Sequence, residues 1–274
     1  MASILDRYGI KEVADVTFYE IQDNGKQGVP VLYLDTLKVS TIEQTAESTD
    51  ARGGKGNPKL ITWDYGKDIT VTLEDALFSA KSLSIMFGNG TVKTDGTMTV
   101  HKTVMARVTK DDKDVYAVHN FIADVYDTDA GKVVRKTIAT TDAKTKYGID
   151  NIKYYAEDAT GDPDTVAIAS FTAENADQRV FVSYDLTVKT KNEISISAET
   201  FPGTYYVTGD TYARSDINGE DQFFQFIIQK AKVTSENTIT LEAEGDPSVF
   251  NMNLTVLRPE DGEMMKLVQY TLGE

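Results

Sequence analysis

The chain has no cysteine, so a disulfide or a thiol nucleophile is excluded. It has two histidines, His101 and His119, too few for a zinc site of the usual His/Cys type. It has a single tryptophan, Trp63, where sugar-binding platforms favour several exposed aromatics. Cations are also scarce. Lys and Arg number 28 against 43 Asp and Glu, a net charge of −15, which disfavours non-specific binding to a nucleic-acid backbone. No run approaches the about 18 apolar residues of a membrane span. The opening MASILDRYGIK lacks the long apolar stretch of a secretory signal, and none is expected there. No short repeat of fixed period is present.

What is there reads as strand. With 274 residues the chain can be one large all-β domain or two smaller ones. A hydrophobic fraction of 41% is slightly low for a compact domain and fits sheets with one wet face, or faces covered on assembly. The strongest stretch is Phe223 to Leu257. FFQFIIQKAKV is dense in aromatic and β-branched residues, and Ile239, Leu241 and Ala243 then alternate with polar neighbours. After the turn signal Gly245-Asp246-Pro247-Ser248, Phe250, Met252, Leu254 and Val256 take one face. Three such strands in succession predict a meander at the centre of a sheet.

Earlier segments attach to that centre. Val13 to Ile21 and Pro30 to Val39 form a hairpin around Asp23-Asn24-Gly25. Thr41 to Lys59 is polar and Gly-rich, which predicts a long loop, either functional or disordered. Leu60 to Leu73 returns to strand. Glu74 to Phe87 has three-and-four apolar spacing and predicts a helix packed through Leu77, Leu83 and Phe87, with Gly88 ending it. Charges and turns become denser from Asp111 to Asn175. The expected organisation is therefore a β domain made of residues 1–110 and 176–274, with 111–175 as a possible insert. The fold class is mainly β, a sandwich or barrel with one flanking helix and an elaborated or inserted middle region.

Chemistry is hard to find. Arg52-Gly53-Gly54-Lys55-Gly56 lacks the order of a phosphate-binding loop, and no helix pattern follows it. A Ser-His-Asp triad would need His101 or His119. Neither stands near a G-x-S-x-G element, and His101 fits an alternating strand. Asp216 to Asp221 opens like a calcium loop, but Ile227 occupies the position of its last acid. Carboxylate pairs are too numerous among 43 acids to single out a glycosidase. No catalytic residue, metal or cofactor is expected, and the protein reads as structural rather than enzymatic.

Three pieces carry a resemblance: TWDYGKDITVTLEDALFSAKSLSIMFG, TFPGTYYVTGDTYAR, and FFQFIIQKAKV with TLEAEGDPSVFNMNLTVLRP. Together they resemble structural proteins of tailed-bacteriophage virions, most of all tail tube proteins. The resemblance implies a subunit that stacks as rings of six into a conduit for the genome, assembled in the host cytoplasm. It implies partners of the same chain, and other tail proteins such as a sheath or terminator. DNA would only pass through an acidic lumen. A loop between early strands would reach a neighbouring ring. Arg52, Gly53, Gly54, Lys55 and Lys59 stand where that loop falls, a basic exception that suits an acidic neighbour. The chain is longer than a minimal tube subunit, which keeps a baseplate, hub or capsid-decorating role as a second reading. A carbohydrate-binding β-sandwich is the rival from another class.

Overall fold

The computed structural model describes residues 7–10, 12–88, 92–94, 96–127, 131–189, 192–217, 219–236, 239 and 249–270. These are mainly β, in antiparallel sheets, with two short α-helices. In chain order the elements are β1 (Tyr8–Ile10), β2 (Asp15–Ile21), β3 (Gln27–Leu34), β4 (Leu37–Arg52), β5 (Lys59–Asp75) and α1 (Ala80–Met86). There follow β6 (Thr97–Arg107), β7 (Thr109–Lys110), β8 (Tyr116–Ala117), β9 (Asn120–Asp127), β10 (Lys132–Ala139), α2 (Ala143–Tyr147), β11 (Ile149–Ala156) and β12 (Arg179–Lys189). The chain ends with β13 (Thr204–Ser215), β14 (Asp221–Val233), β15 (Phe250–Val256) and β16 (Lys266–Tyr270). Two compact units result, one of residues 1–93 and 192–274, the other of residues 94–191.

In the first unit the strands bond in the order β3-β2-β13-β14-β15-β5-β4, with β1 added on β13 and β16 on β14. β3 and β4 lie at opposite ends of that order, yet only Asp35 and Thr36 separate them in the chain. Leu32 and Leu34 from one end and Leu37, Val71 and Leu73 from the other join a single buried cluster. The sheet therefore curls until its outer strands share one core. Strand alternation supplies the filling: Val16 and Phe18, Phe226 and Ile228, and Met252, Leu254 and Val256 all point inward. Gly209 on β13 faces Phe226 across the strand pair, and a Cβ there would lie 2.1 Å from the phenyl ring.

β14 and β15 pair directly, Ala231 with Val256 and Val233 with Leu254. The strand expected between them, on Ile239, Leu241 and Ala243, falls outside the described residues except at Ile239.

The helix is shorter than its spacing predicts. Glu74 and Asp75 complete β5, where Asp75 is buried and accepts a 2.5 Å bond from the Thr36 hydroxyl. The helix starts only after Ser79, whose side chain accepts from the Ser82 amide at 3.0 Å while Ser82 Oγ accepts from the Ser79 amide at 2.9 Å. That reciprocal cap satisfies two amides that the first turn leaves without partners. Leu77, expected to pack, lies before the cap and is 64% exposed. Leu83 and Phe87 are partly buried against the core, and Ile85 and Met86 are the fully buried members.

The second unit is wider than the 111–175 marked by composition. β6 and β12 pair from Thr97–Lys189 to Arg107–Arg179, so residues assigned to the flanking β domain belong here instead. With β11 they make a three-stranded sheet, and β9 and β10 form a hairpin. Val180, Val182 and Tyr184 pack with Phe121, Ala123, Val125, Ile138 and Ile149 in a core of their own. The chain enters and leaves this unit side by side. Lys93 and Glu193 exchange backbone bonds of 3.1 and 2.9 Å just outside it, and Thr97 pairs with Lys189 just inside.

Candidate functional site

Thr41 to Lys59, expected as a loop, is mostly strand. β4 and β5 pair from Leu37–Asp75 out to Arg52–Lys59, and only residues 53–58 form a turn. The physical reason is that a two-stranded ribbon can satisfy its backbone without any core, so its residues need no apolar periodicity. The turn closes through bonds from Gly53 N to Pro58 O and from Asn57 N to Gly54 O. Gly54 and Gly56 take φ of +86° and +85°, which glycine adopts at little cost. Lower down, the register shifts between Thr45 and Glu47, and Gly66 stands opposite at φ +60°. Such a bulge bends a ribbon and increases its twist.

Beyond that bulge the ribbon joins neither core cluster of the described residues. Every residue from 54 to 68 is exposed, as is every residue from 41 to 49. Its two faces nevertheless differ. Ile61, Trp63 and Tyr65 alternate on one face, each more than half exposed, with Thr49 and Ala51 as cross-strand partners of Trp63 and Ile61. The other face carries Asp50, Thr62, Ser48 and Asp64. Asp50 gathers the charges: Lys59 Nζ at 2.9 Å, Arg52 Nη2 at 3.4 Å, and the Thr62 hydroxyl donating at 2.8 Å. Those donors, Lys59 foremost and then Thr62, hold the Asp50 carboxyl below its ordinary range. Arg52 and Lys59, expected to face an acidic neighbour, are thus already paired within the ribbon. Gly53, Gly54 and Lys55 form the tip. The apolar stripe is the larger feature: it lies in the strand read from Leu60 to Leu73, and alternation within ITWDYG marked the strand but not the exposure of its apolar face.

The other expected features resolve plainly. Among the described residues no group of three or more His, Cys, Asp or Glu could hold a metal ion. Asp221, in the loop with a calcium-like opening, is engaged by Arg214 through bonds of 2.6 and 2.7 Å. No described helix is long and apolar enough to cross a membrane. His101 was expected to be an ordinary strand residue. It does lie in β6, and its ring stands between two side chains of β12, with Nδ1 2.7 Å from Asp185 Oδ1 and Nε2 2.8 Å from Ser183 Oγ. The triad search failed here because it sought a sequence element. The arrangement comes from register, since Asp185 lies directly opposite His101 and Ser183 is two residues away on the same face.

Comparison with known proteins then places the chain. The model of the YomU/Tube protein family matches residues 8–269, and no curated protein matches significantly. The chain belongs to that family: it is a tube-like structural protein of bacteriophage and a component of the virion.

Proposed function

From that membership we propose that the first unit is a tail tube subunit, and that rings of it stack into the conduit for the genome. The amphipathic ribbon carries this reading. An isolated two-stranded ribbon is marginal in water, and three or more strands or a packed face are needed for independent stability. A stripe of Ile61, Trp63 and Tyr65, each more than half exposed among the described residues, finds its cover on a neighbouring ring. Rings of six and an acidic lumen follow the same reading. A net charge of −15 keeps DNA from adhering to the wall, so the duplex slides. Other tail proteins, such as a sheath or terminator, would meet the tube at its wall or ends. This role asks for contacts and no turnover.

The test shortens the ribbon at its own register. Thr45 pairs with Asp68, so replacing residues 46–67 by Asn-Gly closes a two-residue hairpin without touching the core. Electron microscopy should show tubes from the parent protein and folded, unassembled subunits from the variant. Normal tubes from the shortened protein would sink the ribbon as the stacking contact. Rings or particles without tubes from the parent would favour a baseplate, hub or decoration role, the reading that the second unit of residues 94–191 keeps in view.

A further inference from the structure

We propose that the second unit carries a nucleophilic serine, Ser183, which with His101 and Asp185 forms an acyl-transfer site for small carboxylic esters. The proposal is independent of tube assembly. Such a site is recognised by geometry and roles, not by chain order. Ser183 Oγ lies 2.8 Å from His101 Nε2, and His101 Nδ1 lies 2.7 Å from Asp185 Oδ1. An ionised carboxylate can only accept, so Nδ1 carries a proton and, in the neutral ring, Nε2 is left bare. The Ser183 hydroxyl then donates to Nε2, which is the alignment needed to remove its proton.

Asp185 is itself held. Asn151 Nδ2 donates to its second oxygen at 2.8 Å, and this bond and the His101 contact keep the carboxyl below the ordinary range, hence ionised. Asn151 reaches it through an irregular backbone. The β11–β12 register shifts between Asp150 and Lys153, and Asn151 sits there at φ +50°. A bulge of this kind re-aims a side chain and is common beside active sites.

The serine opens onto space. Ser183 is 5% exposed and lines an open surface groove of about 350 Å³ together with His101, Tyr155, Phe181, Pro163 and Val166. An apolar lining of this size with a few polar groups suits a short acyl chain. Lys153 pairs opposite Ser183 on the neighbouring strand and forms an ion pair with Asp164.

The chemistry balances with water as the second reactant. Ser183 Oγ bonds to the ester carbonyl carbon, and its proton passes to His101 Nε2. The C–O bond to the alcohol breaks, and the alcohol leaves with that proton. A water then attacks the acyl-serine, His101 relays its proton to Oγ, and the carboxylic acid is released with the serine restored.

The experiment uses the full chain and two probes, p-nitrophenyl acetate and a fluorophosphonate. Intact mass should rise by one adduct, and peptide mapping should place it on Ser183. Ser183→Ala should lose the adduct, and His101→Gln should slow labelling about 100-fold. Asp185 and Asn151 are positioning residues. Asn151→Gly accepts the positive φ without the amide, so the labelling rate should fall while the thermal midpoint stays. Should Ser183→Ala fail to fold, the mapped adduct on the parent protein still decides. Labelling no faster at Ser183 than in urea-unfolded protein, or an unchanged rate in His101→Gln, would overturn the proposal.

Discussion

The two halves of β5 have the same kind of sequence and opposite surroundings. In the outer half, Ile61, Trp63 and Tyr65 alternate with Thr62 and Asp64 and all stay exposed. In the inner half, Ile69, Val71 and Leu73 alternate with Thr70 and Thr72 and are buried. Alternation specifies a strand with one apolar face, and it does not say which molecule covers that face. The inner half is covered by its own chain. The outer half, on the reading proposed above, is covered by another copy.

The largest expected effect breaks this contrast most directly. Leu73→Ala should cost about 2–5 kcal/mol of subunit stability in chemical denaturation, because its side chain is 1% exposed within the core. Trp63→Ala, 52% exposed, should leave the isolated subunit within about 0.5 kcal/mol of the parent and reduce tube yield instead. Equal losses at the two positions would end the comparison.

A smaller effect contrasts two glycines. Gly209→Ala drives a methyl group to 2.1 Å from the Phe226 ring and should cost about 1–3 kcal/mol as that ring is displaced. Gly53→Ala at the ribbon tip meets only Leu60 Cδ1 at 3.4 Å, so its thermal midpoint should match the parent. A tolerated Gly209→Ala would show that the curled core is looser than its contacts imply.

The smallest effect concerns charge. Asp50 is held below its ordinary 3.8 by Lys59, then Thr62, with Arg52 a lesser cause. Its folded pKa is depressed, so the stabilisation is fully present above 3.8 and is lost as pH falls from there through the lower folded value. Asp124 in the second unit is the counterpart, held by Arg135 and then Lys102 at about 2, so its contribution fades between 3.8 and about 2. Carboxyl titration by NMR should find both below 3.8, with Asp50 rising in Lys59→Ala. An Asp50 midpoint at the ordinary value would dissolve the clasp. Exposed pairs of this kind contribute little stability, so neither titration should unfold the subunit.

Strands that border a core were legible because burial writes a period of two into them, as in Phe250 to Val256. β4 was not, since its outer residues Glu43 to Ser48 have nothing to bury and follow no period. The helix lost its first turn to β5 because Asp75 found a sheet partner in Phe250, a contact between distant segments that spacing cannot register. The limits of the second unit were missed for a similar reason. Composition changes at Asp111, whereas pairing of β6 with β12 draws the boundary near Thr94. His101 shows the same limit at one residue: its strand was readable, and its partners 82 and 84 positions away were not.

The paired crossing at Lys93 and Glu193 has an evolutionary consequence. Because the two crossings lie side by side, everything between them is a cassette. Excising it leaves ends that a two-residue turn can rejoin, and no strand of the first unit needs rethreading. A lineage could acquire, exchange or discard this unit at that one place without altering a strand pairing of the first unit.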